Sequence, residues 1–163
     1  MRGRRLTRST IYRGVERPRM YDSILVPTDG SSGTAETLDH AVALARDNDA
    51  AVHVLYVVDQ RRYRAAESDA KEEVRKSLEI EGERAVDNAR TRFAEVGLDV
   101  ETRLAEGIPH REIVDYVAEN GIDLVVMGTH GRTGRDRVAN LGSVTQRVVE
   151  RVETPVLVVD IGD

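Results

Sequence analysis

Four glycines in the segment at residues 127–143 (M-G-T-H-G-R-T-G-R-D-R-V-A-N-L-G-S) are the residues of this chain best suited to holding an anion. Gly128, Gly131, Gly134 and Gly142 carry no side chain to keep a ligand from the backbone. They also enter positive φ freely, so successive N–H groups can converge on one point. The segment follows an apolar run at residues 122–127 (I-D-L-V-V-M). It ends at Gly142-Ser143, where a helical spacing begins with Val144, Val148, Val149 and Val152. A helix start adds unsatisfied amides and partial positive charge. A strand-to-helix loop of this kind is a phosphate-site candidate. An ordinary surface loop uses the same glycines, and composition alone leaves both readings open. A Walker loop places a lysine after its last glycine, whereas the only lysines here are Lys71 and Lys76. The usual dinucleotide fingerprint opens the first strand–helix turn, whereas this loop follows the fourth apolar run.

Other chemistries find little support. The chain has no cysteine, which excludes disulfides, thiol nucleophiles and cysteine metal sites. His40, His53 and His110 show no ligand spacing, so no histidine metal site is expected. There is no G-x-S-x-G elbow, and Asp136 is the one carboxylate near the loop that could activate water. Efficient phosphoryl transfer needs a fuller set of positioned groups. The expectation is a binding module, with hydrolysis secondary at most.

The elements that must position the loop follow from periodicity. Ser23–Thr28 (S-I-L-V-P-T) is a continuous apolar run, as in a strand covered on both faces. Residues 29–32 form a turn with helix-cap residues, and a helix is predicted over 33–47 with Ala35, Leu38, Val42 and Ala45 inward. A second strand is predicted over 51–58, then a solvated charged connection over 60–68. The spacing of Val74, Leu78, Ala85, Val86, Ala89, Phe93 and Val96 predicts a long amphipathic helix over 69–96, bent at Gly82 and C-capped by Gly97. Residues 98–105 alternate like an edge strand, and Pro109 opens a helix over 108–117 that Gly121 ends. After the fourth strand and the glycine loop come a helix over 143–151 and a last strand over 156–160. Five strands alternating with four helices predict a three-layer α/β/α domain with a five-stranded, mostly parallel sheet. Right-handed crossovers then bring every strand's carboxyl end to one edge.

Several stretches resemble the universal stress protein family in its ATP-binding branch. They are residues 24–29 (I-L-V-P-T-D), 54–59 (V-L-Y-V-V-D), 107–114 (G-I-P-H-R-E-I-V), Gly128-x2-Gly131 … Gly142-Ser143, and 154–159 (T-P-V-L-V-V). The family's loop pattern is G-x2-G-x9-G-[S/T]; here ten residues separate Gly131 from Gly142. The resemblance covers residues 21–160 and implies strand order 3-2-1-4-5, a Rossmann-like fold of the adenine nucleotide alpha hydrolase type. In such sheets the ligand crevice lies where the order reverses, between the strands ending at Thr28 and Met127. The resemblance thus implies an adenine-nucleotide site made by Pro27, Thr28, Asp29, Val57, Met127, Gly128, His130, Gly131, Arg132, Gly142, Ser143 and Val144. Pro27 and Met127 would wall the base and sugar, the backbone of Val57 would meet adenine, and Asp29 would accept from an amino group or ribose hydroxyl. The alternative role of Asp29 is capping the helix after it. Gly128, His130, Gly131, Gly142, Ser143 and Val144 would take the phosphates. Arg132 and Arg135 are either phosphate counter-charges or solvated loop residues, and His130 either touches a phosphate or packs beside the loop. The ligand implied is ATP, with Mg²⁺ arriving on the triphosphate. A non-binding interaction module and an AMP-forming hydrolase of the same fold are the alternatives.

Composition bounds the rest. A chain of 163 residues makes one domain with a good core, and no stretch of 18 apolar residues is present to span a membrane. Without a signal-like hydrophobic segment, a cytoplasmic protein is expected. The formal net charge is −5, yet residues 1–19 hold seven arginines and one glutamate, which leaves −11 on residues 20–163. A basic arm of this kind can bind nucleic acid or a membrane. The segment has no periodic apolar face, however, and is expected to be a disordered extension ahead of a domain over 20–163. The acidic, arginine-rich composition also suits a salt-loving source. The final run P-V-L-V-V is too apolar to leave bare at a sheet edge. Pairing with the same strand of a second copy would cover it, and the resemblance implies a homodimer of this kind.

Overall fold

A computed structural model describes residues 19–129 and 141–161. The basic segment before Arg19 lies outside the described residues. So does most of the glycine loop, including His130, Gly131, Arg132, Gly134, Arg135 and Asp136.

Five strands, β1 (Ser23–Thr28), β2 (Ala51–Asp59), β3 (Val100–Gly107), β4 (Leu124–Gly128) and β5 (Val156–Val159), form one sheet in the order β3-β2-β1-β4-β5. Every pairing is parallel. Among the described residues five helices connect them: α1 (Thr34–Asn48), α2 (Gln60–Arg64), α3 (Lys71–Glu95), α4 (Pro109–Glu119) and α5 (Ser143–Arg151). The three layers follow from the two-residue period of a strand. Ile24, Val26, Val54, Tyr56 and Val126 point to one face, where Leu38, Ala41 and Ala45 of α1 and Leu78, Val86 and Phe93 of α3 close over them. Leu25, Leu55, Val125 and Met127 point the other way, against Ile113 and Tyr116 of α4 and Val148 of α5. Both faces being covered explains why β1 reads as an unbroken apolar run, and each fully buried side chain of this kind stabilises by about 1.5–3 kcal/mol.

Three local differences from the sequence-based expectation have physical causes. Ala35 is exposed on α1, and Thr37 and Ala41 take the inner face instead. The connection after β2 is not irregular throughout: Asp59 caps a single helical turn, α2, by accepting the Arg61 amide. Gly82 does not break α3, which runs as one element from Lys71 to Glu95. Its role is close approach, since a Cβ there would stand 2.5 Å from Cδ1 of the buried Tyr56 ring. Gly97 terminates α3 as expected. With φ at 75°, it lets its own amide reach Ala94 O and the Leu98 amide reach Phe93 O, the two bonds of a Schellman end.

Candidate functional site: a cleft at the strand-order reversal

The crevice opens because the β1–β4 ladder stops early. Pairing of these strands is recorded at Ile24↔Leu124 and Leu25↔Val125, whereas β1 stays paired with β2 as far as Thr28↔Tyr56. Pro27 has no N–H to extend a ladder. The carboxyl ends of β1 and β4 therefore part, and a cleft of about 670 Å³ lies between them, of a size that suits a small organic ligand.

The described residues of the expected site converge on this cleft. Pro27, Thr28 and Asp29 line it from β1, Val57 from β2, Met127 and Gly128 from β4, and Gly142, Ser143 and Val144 from the start of α5. Thr28 is engaged inside the wall, its Oγ1 accepting the Gly30 amide at 3.1 Å and lying 3.1 Å from the Thr34 hydroxyl. Asp29 lies four residues before Gly33, the N-cap residue of α1. Its Oδ1 accepts the Ser31 amide at 2.9 Å, a turn contact that fixes the carboxylate beside the β1 end.

Gly142 shows how narrow the backbone's options are. It sits at φ 80°, where a side chain is strained, and a Cβ there would approach the carbonyl oxygen of Thr129 to 2.6 Å. Immediately after it, Thr145 donates its hydroxyl to Gly128 O at 2.9 Å, pinning the first turn of α5 to the end of β4. Gly142, the N-cap residue of α5, has no side chain with which to cap it. The N-cap residues of α1 and α4, Gly33 and Ile108, likewise make no side-chain cap bond, and Thr34 and Pro109 bring both helix starts to the same cleft. Three helix starts therefore direct partial positive charge into one volume. The arrangement is suited to anionic ligands.

The cleft also contains residues that the sequence did not single out. Asp59, Arg61 and Arg62 line it from the β2–α2 junction. Burial disfavours the Asp59 charge, but the hydrogen bonds and charge of Arg61 outweigh this and hold the carboxyl below its usual range. Ile161 reaches in from beyond β5. Its amide donates to Thr129 Oγ1 at 3.1 Å, and its side chain lies over Gly33 and Gly128, so closely that a Cβ on either glycine would collide with it. Aspartate at a strand end, followed by three residues that tolerate helix, was a legible cap signal for α2. Ile161 offered none, because its contacts are with residues more than 30 positions away. No group of His, Asp and Glu able to hold a metal occurs among the described residues. Nor is any helix among them long and apolar enough to cross a membrane.

Comparison with known proteins agrees with the fold. The family model described as the universal stress protein family matches residues 20–160. Universal stress protein MJ0531 of Methanocaldococcus jannaschii is 38% identical over 141 residues, covering 86% of this chain and 82% of that protein. The solved structure of MJ0577 from the same organism superposes with a TM-score of 0.77 at 33% identity, covering 88% of this chain and 99% of that one. A universal stress protein solved in complex with cAMP superposes with a TM-score of 0.62 at 25% identity, covering 88% and 99%. Its family model, its identity to curated relatives and its sheet order agree: this chain belongs to the universal stress protein family.

Proposed function

We propose that this chain is an adenine-nucleotide-binding regulatory module whose ligand is ATP, with Mg²⁺ carried on the phosphates. The observation that carries this reading is the start of α5. It is a helix N-terminus whose N-cap residue is a glycine that admits no side chain, held against the β4 end by Thr145 and facing the cleft at the reversal of strand order. The amides of Gly142, Ser143 and Val144 with the Ser143 hydroxyl take phosphate oxygens. Gly128, His130, Gly131 and Arg132 extend that cradle. Pro27, Thr28 and Met127 wall the base and sugar, the Val57 backbone meets the base, and Asp29 accepts from the nucleoside. The family member bound to cAMP supports an adenine nucleotide as the ligand class.

The module works as a homodimer paired through the last strand. β5 lies at the sheet edge, and Leu157 on it is 36% exposed, an apolar edge that a second copy would cover. Residues 20–163 make up the domain, with the basic segment as an extension.

The test is calorimetry with ATP and Mg²⁺ on the full chain and on Ser143→Asp. A carboxylate at a helix start favours the helix and repels phosphate. The variant is expected to keep its Tm and to lose ATP affinity about tenfold or more, the effect of roughly 1.4 kcal/mol of repulsion. Equal ATP affinity in both proteins would remove α5 from the site. Sedimentation of the same samples should give twice the 18.1 kDa chain mass; a monomer would refute the β5 pairing.

A further inference from the structure

The cleft has a second charged wall that the glycine loop does not account for. β2 passes Val57 and turns into α2 at Asp59. Asp59 accepts the Arg61 amide at 3.0 Å and grips the Arg61 guanidinium through contacts of 2.9 and 2.7 Å, so these two charges cancel within the wall. On the other flank of the same turn, Tyr63 packs against the core and donates its hydroxyl to Glu106 of β3 at 2.5 Å. A five-residue helix is marginal alone, but here both flanks are tied and the turn is held in place. Arg62, between them, lines the cleft and forms no ion pair among the described residues. Among the described cleft residues, Arg61 and Arg62 are the only cations; with Asp59, whose charge both of them feel, they leave one positive charge at this turn, while Asp29 is the other carboxylate of the lining.

Negative charge is therefore accommodated at two places: at the start of α5, and at Arg62 beside the Val57 wall. An adenine ring is uncharged at neutral pH and gives Arg62 no counter-charge. Between base and 5′ position, the ribose 2′ and 3′ hydroxyls are where a nucleotide can carry a second anionic group. A guanidinium suits a phosphate ester because its planar fork donates two parallel hydrogen bonds. We propose that Arg62 is a specificity-determining residue that binds a phosphate on the ribose 2′ or 3′ oxygen. The cleft thereby favours adenine nucleotides phosphorylated on both sides of the sugar. This rests on the adenine-nucleotide reading above.

The experiment titrates the full chain, and its Arg62→Ala and Arg62→Lys variants, with adenosine, AMP, adenosine 2′,5′-bisphosphate and adenosine 3′,5′-bisphosphate. The expected result is that one bisphosphate binds about tenfold more tightly than AMP, within the range of a hydrogen-bonded charge pair. Arg62→Ala should lose that advantage with AMP affinity held within about twofold, and Arg62→Lys should keep part of it. Arg62 is exposed, so the fold should survive, and circular dichroism of each variant checks this. Equal binding of AMP and both bisphosphates by the unmodified chain overturns the inference and leaves the nucleotide reading standing. Uniform weakening of adenosine, AMP and bisphosphates in Arg62→Ala also overturns it, since the side chain would then act on the base. Failure of the unmodified chain to bind any of the four overturns this inference, and failure to bind ATP as well overturns both readings.

Discussion

His110 lies buried at the first turn of α4, and burial pushes its imidazole below the ordinary pKa. Arg151 and Arg147 on α5, Arg111 on α4 and Arg61 on α2 push in the same direction. The unfolded chain takes up this proton near the ordinary value of 6.5, while the folded chain resists it to lower pH. The folded state is therefore favoured fully above that value and progressively less as pH falls through it. Urea midpoints should drop between pH 7.5 and 5.5, and His110→Gln should flatten the drop. An unchanged drop in His110→Gln would assign it to other groups. Residue detail also governs how the site can be probed. A side chain at Gly128 meets Ile161 before it meets a ligand, so a Gly128 substitution reports on that contact and Ser143 is the cleaner position.

At the scale of elements, packing decides where propensity would mislead. Alanine is the better helix former by about 1 kcal/mol, so an exposed Gly82→Ala exchange would stabilise α3. Here the added methyl group meets the Tyr56 ring, itself 3% exposed between α3 and the sheet. Overpacking of this kind costs about 1–3 kcal/mol, and Gly82→Ala is expected to lower Tm. A rise in Tm would mean the ring moves aside without cost. The same contrast shows what could be read from the chain in advance. The strands were legible because apolar runs such as I-L-V at 24–26 have one explanation in a sheet covered on both faces. The β1 and β4 ends of the cleft were legible because topology places them side by side. The close approach at Gly82 was not legible, since its partner is a ring 26 residues away and such a contact leaves no local pattern. The solvation of the charges on α2 was legible, since Arg61, Arg62 and Arg64 are exposed, whereas their place on the cleft wall was not, because the Asp59 cap and the Tyr63–Glu106 bond set it.

For the whole molecule, charge and shape divide the work. The body over residues 20–163 carries a formal −11, a field that repels anions at a distance. Three helix starts and Arg62 oppose this locally at the cleft, which is what the proposed anion site requires on a surface that otherwise disfavours anions. The cleft and the proposed dimer edge are also adjacent, because β5 leads directly to the residue that lies over Gly33 and Gly128.

That last contact has a consequence for motion. Ile161 joins the start of α1, the end of β4 and the chain beyond β5, and the bonds Thr129 N to Val159 O at 2.9 Å and Ile161 N to Thr129 Oγ1 at 3.1 Å cross the same point. These amides are then one opening unit in hydrogen–deuterium exchange, closed by a single side chain. In Ile161→Ala, the Thr129 and Ile161 amides should exchange faster together. The Ala51 amide, bonded to Asp22 O at the opposite edge of the sheet, should keep its rate. Acceleration of one amide without the other would show that the three segments open independently.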